Sequence, residues 1–501
     1  MKIRKAMAWG MLAVSLLTAV SGCGTGNKTA DDNGVTTIYC YMNNGVATGS
    51  GAESGSNQEQ LEKIQKYFID KLNIKVVPIT PPAGSATEKL NTLLASQEQL
   101  DLFWGKWDDY ATNGAIMPIG QLLDQYGENI KNKWPDSSWN VMTDSSGDLW
   151  GVPRFTETRS YPVYIRKDWL EKYNLEAPET LDDLEHVAQV FKENDPAGNN
   201  GTIPIITQLD GLQMGVTAGF TGIGYGVYLD SSDSKVKPVE MMPEFKDFIA
   251  KMNSWYTKGL IYKESFSVSQ SQIREFIKQN KVGIHLAWYS NITGFEAALR
   301  ENYPEAYYEV YNITGPKGDI QTVRKATTNG ALIPANSKNA EAVIKFMDCL
   351  YGDVDSYLTA CRGIENEDWE YVDRDKLIVK SLNEEQRYFG ELNAALSTVM
   401  ENDIYDADNM EDKSLTYLRT TCVDQNIGVQ PFNKDFNFST AKLTEAAPGR
   451  GDIERMIKEE TTKFITGARK LSEYDSFISE LNAAGIQNLI DEYTRQYNEI
   501  K

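Results

Sequence analysis

The stretch NQEQLEKIQKYFIDKLNIKVVPI, residues 57–79, decides the fold. Leu61, Ile64, Phe68 and Leu72 recur every three or four positions, the spacing of one helix face. The pattern then changes to the short apolar run KVVPI, which reads as a strand. Upstream, GVTTIYCYMNN (34–44) reads as a first strand, joined through the Gly/Ser-rich loop GVATGSGAESGSNQ (45–58). Downstream, ATEKLNTLLASQEQ reads as a second helix and LDLFW (100–104) as a third strand. Alternating strands and helices argue for an α/β sheet with crossover helices. The same alphabet continues in PETLDDLEHVAQVFKEND (178–195), where Thr180 is placed to cap a helix with an acidic first turn.

The chain begins with the cations Lys2, Arg4 and Lys5, followed by an apolar run over 6–20. That run is shorter than the roughly 20 residues a membrane-spanning helix needs. A charged start, a short apolar core and small residues describe a secretory signal. VSGC, ending at Cys23, resembles the bacterial lipobox, in which the cysteine is diacylated and becomes the first mature residue. Residues 1–22 are therefore expected to be a lipoprotein signal, with Cys23 lipidated and 23–34 a flexible tether. An uncleaved anchor helix, or an ordinary secretory signal with a chance cysteine, is the competing reading.

At 501 residues, the chain is too long for one ordinary core, so at least two lobes are expected. Its net charge of −21 argues against a nucleic-acid partner, which needs Lys/Arg patches. Beyond Cys23, the cysteines Cys40, Cys349, Cys361 and Cys422 contain no CxxC, and they read as buried thiols or as disulfides whose pairing the sequence leaves open. Only two histidines occur, His186 and His285, so there is no HExxH and no histidine-rich metal cluster. GxSxG, Walker and GxGxxG motifs are absent.

Four segments in order then carry a resemblance. They are LDLFWGKWDDYATNGAIMPIGQLL, LWGVPRFTETRSYPVYIRKDWLEKYNLEAPETLDDL, FIKQNKVGIHLAWYSN and TNGALIPANSKNAEAVIKFMDCL. Together they resemble the extracellular family 1 solute-binding proteins of ABC-type sugar importers, the maltose-binding-protein-like group. GIENEDWEYV and the helical stretch over 465–500 look like its long Gram-positive lipoprotein members. The resemblance implies an α/β, two-lobed periplasmic-binding-protein-like fold of type II, with a hinge and a ligand cleft between the lobes. It places lobe 1 at 35–155 and 289–328, and lobe 2 at 156–288 and 329–501. It implies a monomer that binds an oligosaccharide, engages the permease subunits of an ABC importer and performs no catalysis. Many of these long members carry a calcium loop. The matching place here is NDPAGNNGTIPI (194–205), where Asp195 and Asn199 remain, Ala197 stands at a ligand position and the acidic pair before Ile203 is missing. Ca²⁺ takes six to eight oxygens, so no metal and no cofactor is expected.

A sugar needs flat apolar platforms for its C–H faces and charged or amide partners for its hydroxyls. The expected ligand contacts are Trp104, Trp107 and Asp108 in FWGKWDD, Arg154 and Glu157 past the GVP turn, Trp288 and Asn291 after GIHLAW, and Glu365 and Trp369 in GIENEDWEY. Asn43 is added from the loop after the first strand. Trp104 and Trp369 read equally as core, and Arg154 with Glu157 as an interlobe ion pair. An extracellular glycan-cleaving enzyme is the alternative from another class. It needs two carboxylates about 5–9.5 Å apart, and nothing singles out a pair among the 71 Asp and Glu. A peptide binder or an adhesion protein on the same fold remains open.

Overall fold

The computed structural model describes residues 34–41, 58–81, 85–96, 98–154, 158–159, 161–288, 292–382, 400, 403–406, 428–434 and 436–500. Asn43, Glu157, Asn291, Cys23 and Cys422, with the signal and the tether up to residue 33, lie outside them. Among the described residues no helix is long and apolar enough to cross a membrane.

The chain opens with β1 (Thr36–Tyr41), helix α1 (Gln58–Leu72), β2 (Ile74–Ile79), helix α2 (Ala86–Ser96), β3 (Phe103–Lys106) and the short helix α3 (Trp107–Ala111). Helix α4 (Asp136–Met142) leads to β4 (Val152–Pro153), then β5 (Thr158–Arg159) and β6 (Val163–Arg166). Next come α5 (Leu181–Asn194), β7 (Ile203–Thr207), α6 (Leu209–Val216), β8 (Val282–Leu286) and β9 (Tyr308–Tyr311). The later elements used below are β10 (Val323–Arg324), β11 (Asn329–Leu332), α7 (Ala340–Gly352), β12 (Trp369–Asp373), β13 (Ile378–Ser381) and the last helix, α8 (Ile486–Ile500).

Periodicity explains the first unit. α1 buries Leu61, Ile64 and Phe68 on one face, and Phe68 meets Phe346 of α7 edge-on at 5.0 Å. β1 and β2 are parallel, and an isolated bridge from Cys40 to Leu102 carries the parallel order toward β3. α5 starts as its capping residue dictates. The Thr180 side chain accepts from Asp183 N–H, and the Asp183 carboxylate accepts from Thr180 N–H.

Two lobes follow from the packing. In lobe 1 the segment from β1 to β4 shares its cores with Ala331, Ile333, Val343, Phe346, Met347, Trp369, Val379 and Ile404. Asp101, 1% exposed, fastens the two parts. It accepts from Tyr39 N–H at 2.9 Å and from the Ser337 hydroxyl at 2.6 Å. In lobe 2 the sheet order is β9-β6-β8-β7. Its main core also takes in Leu443, Phe464, Phe477, Ile486 and Leu489 from the C-terminal helices.

The expected division is corrected at the return crossing. The resemblance puts residues 289–328 in lobe 1, yet β9 pairs with β6, and Tyr311, Ile313 and Ile320 join the lobe 2 core. Residue 329 was expected to begin a return to lobe 2, yet β11 is the central strand between β3 and β4. Backbone pairing decides this, and a four-residue strand has too short a pattern to announce its partner.

Candidate functional site

Strand register fixes which residues stand at the end of each lobe's sheet. β11 is antiparallel to both neighbours, pairing Asn329 with Lys106 and Gly330 with Gly105 and Pro153. β3 and β4 therefore run parallel and end at one edge, immediately before Trp107 and Arg154. In lobe 2, Leu286 pairs with Thr207 of β7 and with Val163 of β6. The residues beyond that level are Gln208, Trp288 and Tyr161. The crossing strands pair with each other, Thr158 of β5 with Arg324 of β10. Carboxyl ends of strands at a lobe junction are where α/β proteins place ligands.

On the lobe 1 edge, Trp107 is half-buried. Its indole N–H donates to Val141 O at 2.8 Å, and its plane lies 7° from that of Trp150 with centroids 6.2 Å apart. Trp150 donates in turn to Asp144 Oδ2 at 2.8 Å. The two rings are thus fixed at both ends. Asp108 follows at the start of α3. Burial, then Asp109, raises its carboxyl above the ordinary range, and its Oδ1 is buried without a hydrogen-bond partner among the described residues. An acceptor in that state is suited to a ligand hydroxyl. Trp104 is 5% exposed and belongs to the core. The Arg154 guanidinium sits 5.7 Å from its ring, so Trp104 supports Arg154 and offers no open platform.

On the lobe 2 edge, Trp288 is half-buried and contacted from two sides. Arg324 lies over its ring at 4.8 Å, and Tyr161 meets it edge-on at 6.0 Å. The Tyr161 hydroxyl donates to Asp210 Oδ2 at 3.0 Å. Burial and Asp210 both push the phenol well above its usual range, so it keeps its proton and stays a donor. Gly211 makes this approach possible, because a Cβ there would lie 2.1 Å from Thr207 Oγ1 and 2.9 Å from Leu286 O. Any larger residue would lift Asp210 off the strand end.

Tyr161, Asp210, Arg324 and Trp150 were not among the sequence candidates. Tyr161 and Trp150 flank the GVP segment already singled out, but Arg324 and Asp210 join through contacts with no local spacing. Trp369 is corrected to core. It is 1% exposed, donates to Gly363 O at 3.0 Å and packs edge-on against Tyr371. Glu365 is exposed, 3.7 Å from Arg374, beside the hairpin of β12 and β13.

The loop over 195–202 does not offer a calcium donor set. Asp195 Oδ2 accepts from Asn200 N–H at 2.7 Å and Oδ1 from Thr202 N–H at 3.0 Å, while Ala197 brings no side-chain oxygen. Those amides hold the Asp195 carboxyl below its ordinary range, after the larger effect of the Thr202 hydroxyl. Among the described residues no group of three His, Cys, Asp or Glu is poised for a metal. Calcium or chelator is expected to leave the melting temperature unchanged in a thermal scan, whereas Asp195→Ala costs about 1 kcal/mol through the lost loop bonds. A calcium-dependent rise in melting temperature would reverse this reading.

Residues 54–355 match the family model described as bacterial extracellular solute-binding protein. The polygalacturonan/rhamnogalacturonan-binding protein YtcQ of Bacillus subtilis is 24% identical over 399 residues, covering 78% of this chain and 77% of its own. Lipoprotein LipO of the same organism is 22% identical over the full length of both. The crystal structure of the N-glycan transport solute-binding protein NgtS of Streptococcus pneumoniae superposes with a TM-score of 0.68 at 16% identity, covering 92% of this chain and 98% of that one. At that identity, the likeness speaks to the two-lobed fold alone.

Proposed function

The chain belongs to the bacterial extracellular solute-binding proteins, and from that premise we propose that it captures an oligosaccharide between its lobes for the permease of an ABC importer. One observation carries the reading. The strand ends of each lobe combine indoles with charged hydrogen-bond partners: Trp107, Asp108 and Arg154 in lobe 1, and Trp288, Tyr161 and Asp210 in lobe 2 with Arg324 of the crossing strand. That mixture suits a ligand with flat C–H faces and many hydroxyls. Glu157, Asn291 and Asn43 belong to the same proposal, as does a lipid anchor at Cys23. The lobes close as a hinge, and the ligand favours the closed form because it touches both edges only there. A relative named for polygalacturonan and rhamnogalacturonan binding supports a glycan of more than one residue. The protein acts as a monomer with no chemistry of its own.

The test is thermal unfolding of the chain from residue 24 onward against oligogalacturonides, fructo-oligosaccharides, N-glycan fragments and short peptides. A ligand at a hundredfold excess over its Kd adds about 2.7 kcal/mol to apparent stability. A rise with one glycan class is expected. A rise with peptides alone would keep the fold and discard the sugar, and turnover of a bound glycan would overturn the non-catalytic reading.

A further inference from the structure

A third stretch of chain runs along the crossing. Val429 N–H donates to Gln321 O at 2.8 Å, and Val323 N–H donates to Val429 O at 2.9 Å, so residues 428–434 lie against β10. On its other side this stretch reaches α8. The rings of Phe432 and Phe436 lie 5.1 and 6.3 Å from Tyr497, and Phe438 lies 4.7 Å from Tyr493. Lys325 closes the contact from the crossing strand. Its ammonium donates to Phe436 O at 2.6 Å and to Asn433 O at 3.3 Å. The Asn433 amide donates to the same Phe436 carbonyl at 3.4 Å.

Burying a lysine costs free energy unless its protons find acceptors. Here burial is the sole cause that pulls the amine down, to about 7, and the acceptors it finds are two backbone carbonyls of another segment. We infer that Lys325 is a positioning residue for capture: it pins Asn433 and Phe436 to the second crossing strand, so that β10 and the last helix of lobe 2 move as one body when the lobes close. Its influence on the ligand runs through Arg324, its neighbour in β10, whose guanidinium lies over Trp288. The consequence for capture rests on the function proposed above, but the pin itself does not.

The experiment therefore needs no ligand. Hydrogen exchange of the full chain is followed at the Val323 and Val429 amides, with small-angle scattering on the same samples. Lys325→Met is expected to speed exchange at both amides about tenfold or more and to raise the radius of gyration as the lobes spread. Lys325→Arg, which keeps the donors, is expected to restore both. If Lys325→Met does not fold, Lys325→Gln replaces it and should show a smaller change of the same sign. Unchanged exchange in Lys325→Met, or failure of Lys325→Arg to rescue, would overturn the inference. Absence of any sugar in the melting panel would remove the capture reading and leave the exchange result standing.

Discussion

A Trp288→Ala chain is expected to bind its sugar roughly 30- to 1,000-fold more weakly, about 2–4 kcal/mol, while keeping its fold. The size follows from position. Trp288 stands just past β8, a strand buried at every residue, and its ring receives Arg324 on one face and Tyr161 at an edge. Truncation removes the platform and leaves two polar side chains without the surface that orients them. The ring belongs to none of the hydrophobic cores, so its loss should hardly move the melting temperature. Trp288→Phe, which keeps a flat face, should recover most of the affinity. Titration calorimetry with whichever glycan raises the melting temperature decides it. Equal affinity in Trp288→Ala and the parent would move the site away from the end of β8.

Acid should unfold lobe 2 through one histidine. His285, 1% exposed in β8, bonds to Ile206 O through Nδ1 at 2.8 Å, and its Nε2 is buried without a hydrogen-bond partner among the described residues. Burial pulls its pKa down to about 4 from an unfolded value near 6.5. The folded chain thus binds fewer protons there than the unfolded chain. Stability is fully present above about pH 6.5 and falls as the pH drops toward 4, by about 3 kcal/mol in all. Glu185, held down to about 2 despite burial by Lys251, Lys258 and the Trp255 indole, acts in a lower window, between its unfolded value near 4.5 and about 2. The two contributions are therefore separable. His285→Gln, which cannot charge, should show little loss between pH 6.5 and 4.5 in urea melts. A parent and variant that lose stability in parallel over that range would refute the assignment.

Much of the architecture was legible because it is local. The periodicity over 57–79 placed α1 and β2 within two residues, and Thr180 caps α5 as its side chain allows. The third strand was read at 100–104, whereas β3 begins at Phe103, because Leu100 and Leu102 are buried as an approach to the sheet. The lobe division failed where pairing is remote. Nothing in NGAL states that it lies between β3 and β4, more than 170 residues earlier by the Ala331–Val152 pairing. The candidate site was legible in part for the same reason. Trp107, Asp108, Arg154 and Trp288 each follow a strand in sequence. Arg324 reaches Trp288 only through the fold. Trp369 misled because its neighbours in NEDWEY are polar, yet Asp368 is itself buried, taken up by Gln60 and by Ile364 N–H.

The fastening of Tyr39 to Ser337 through Asp101, and of the Thr37 carbonyl directly to the Asn339 amide, sets the order in which the molecule comes into being. A ribosome releases the amino end of lobe 1 long before the strand that belongs at its centre exists. Lobe 2 must likewise wait for Phe477, Ile486 and Leu489, in the last helices, before its core is covered. The lobe 1 core draws on residues as late as Ile404 and the lobe 2 core on the last helices, and closing loops of that length is slow. A chain with this arrangement therefore has neither core complete through most of its synthesis.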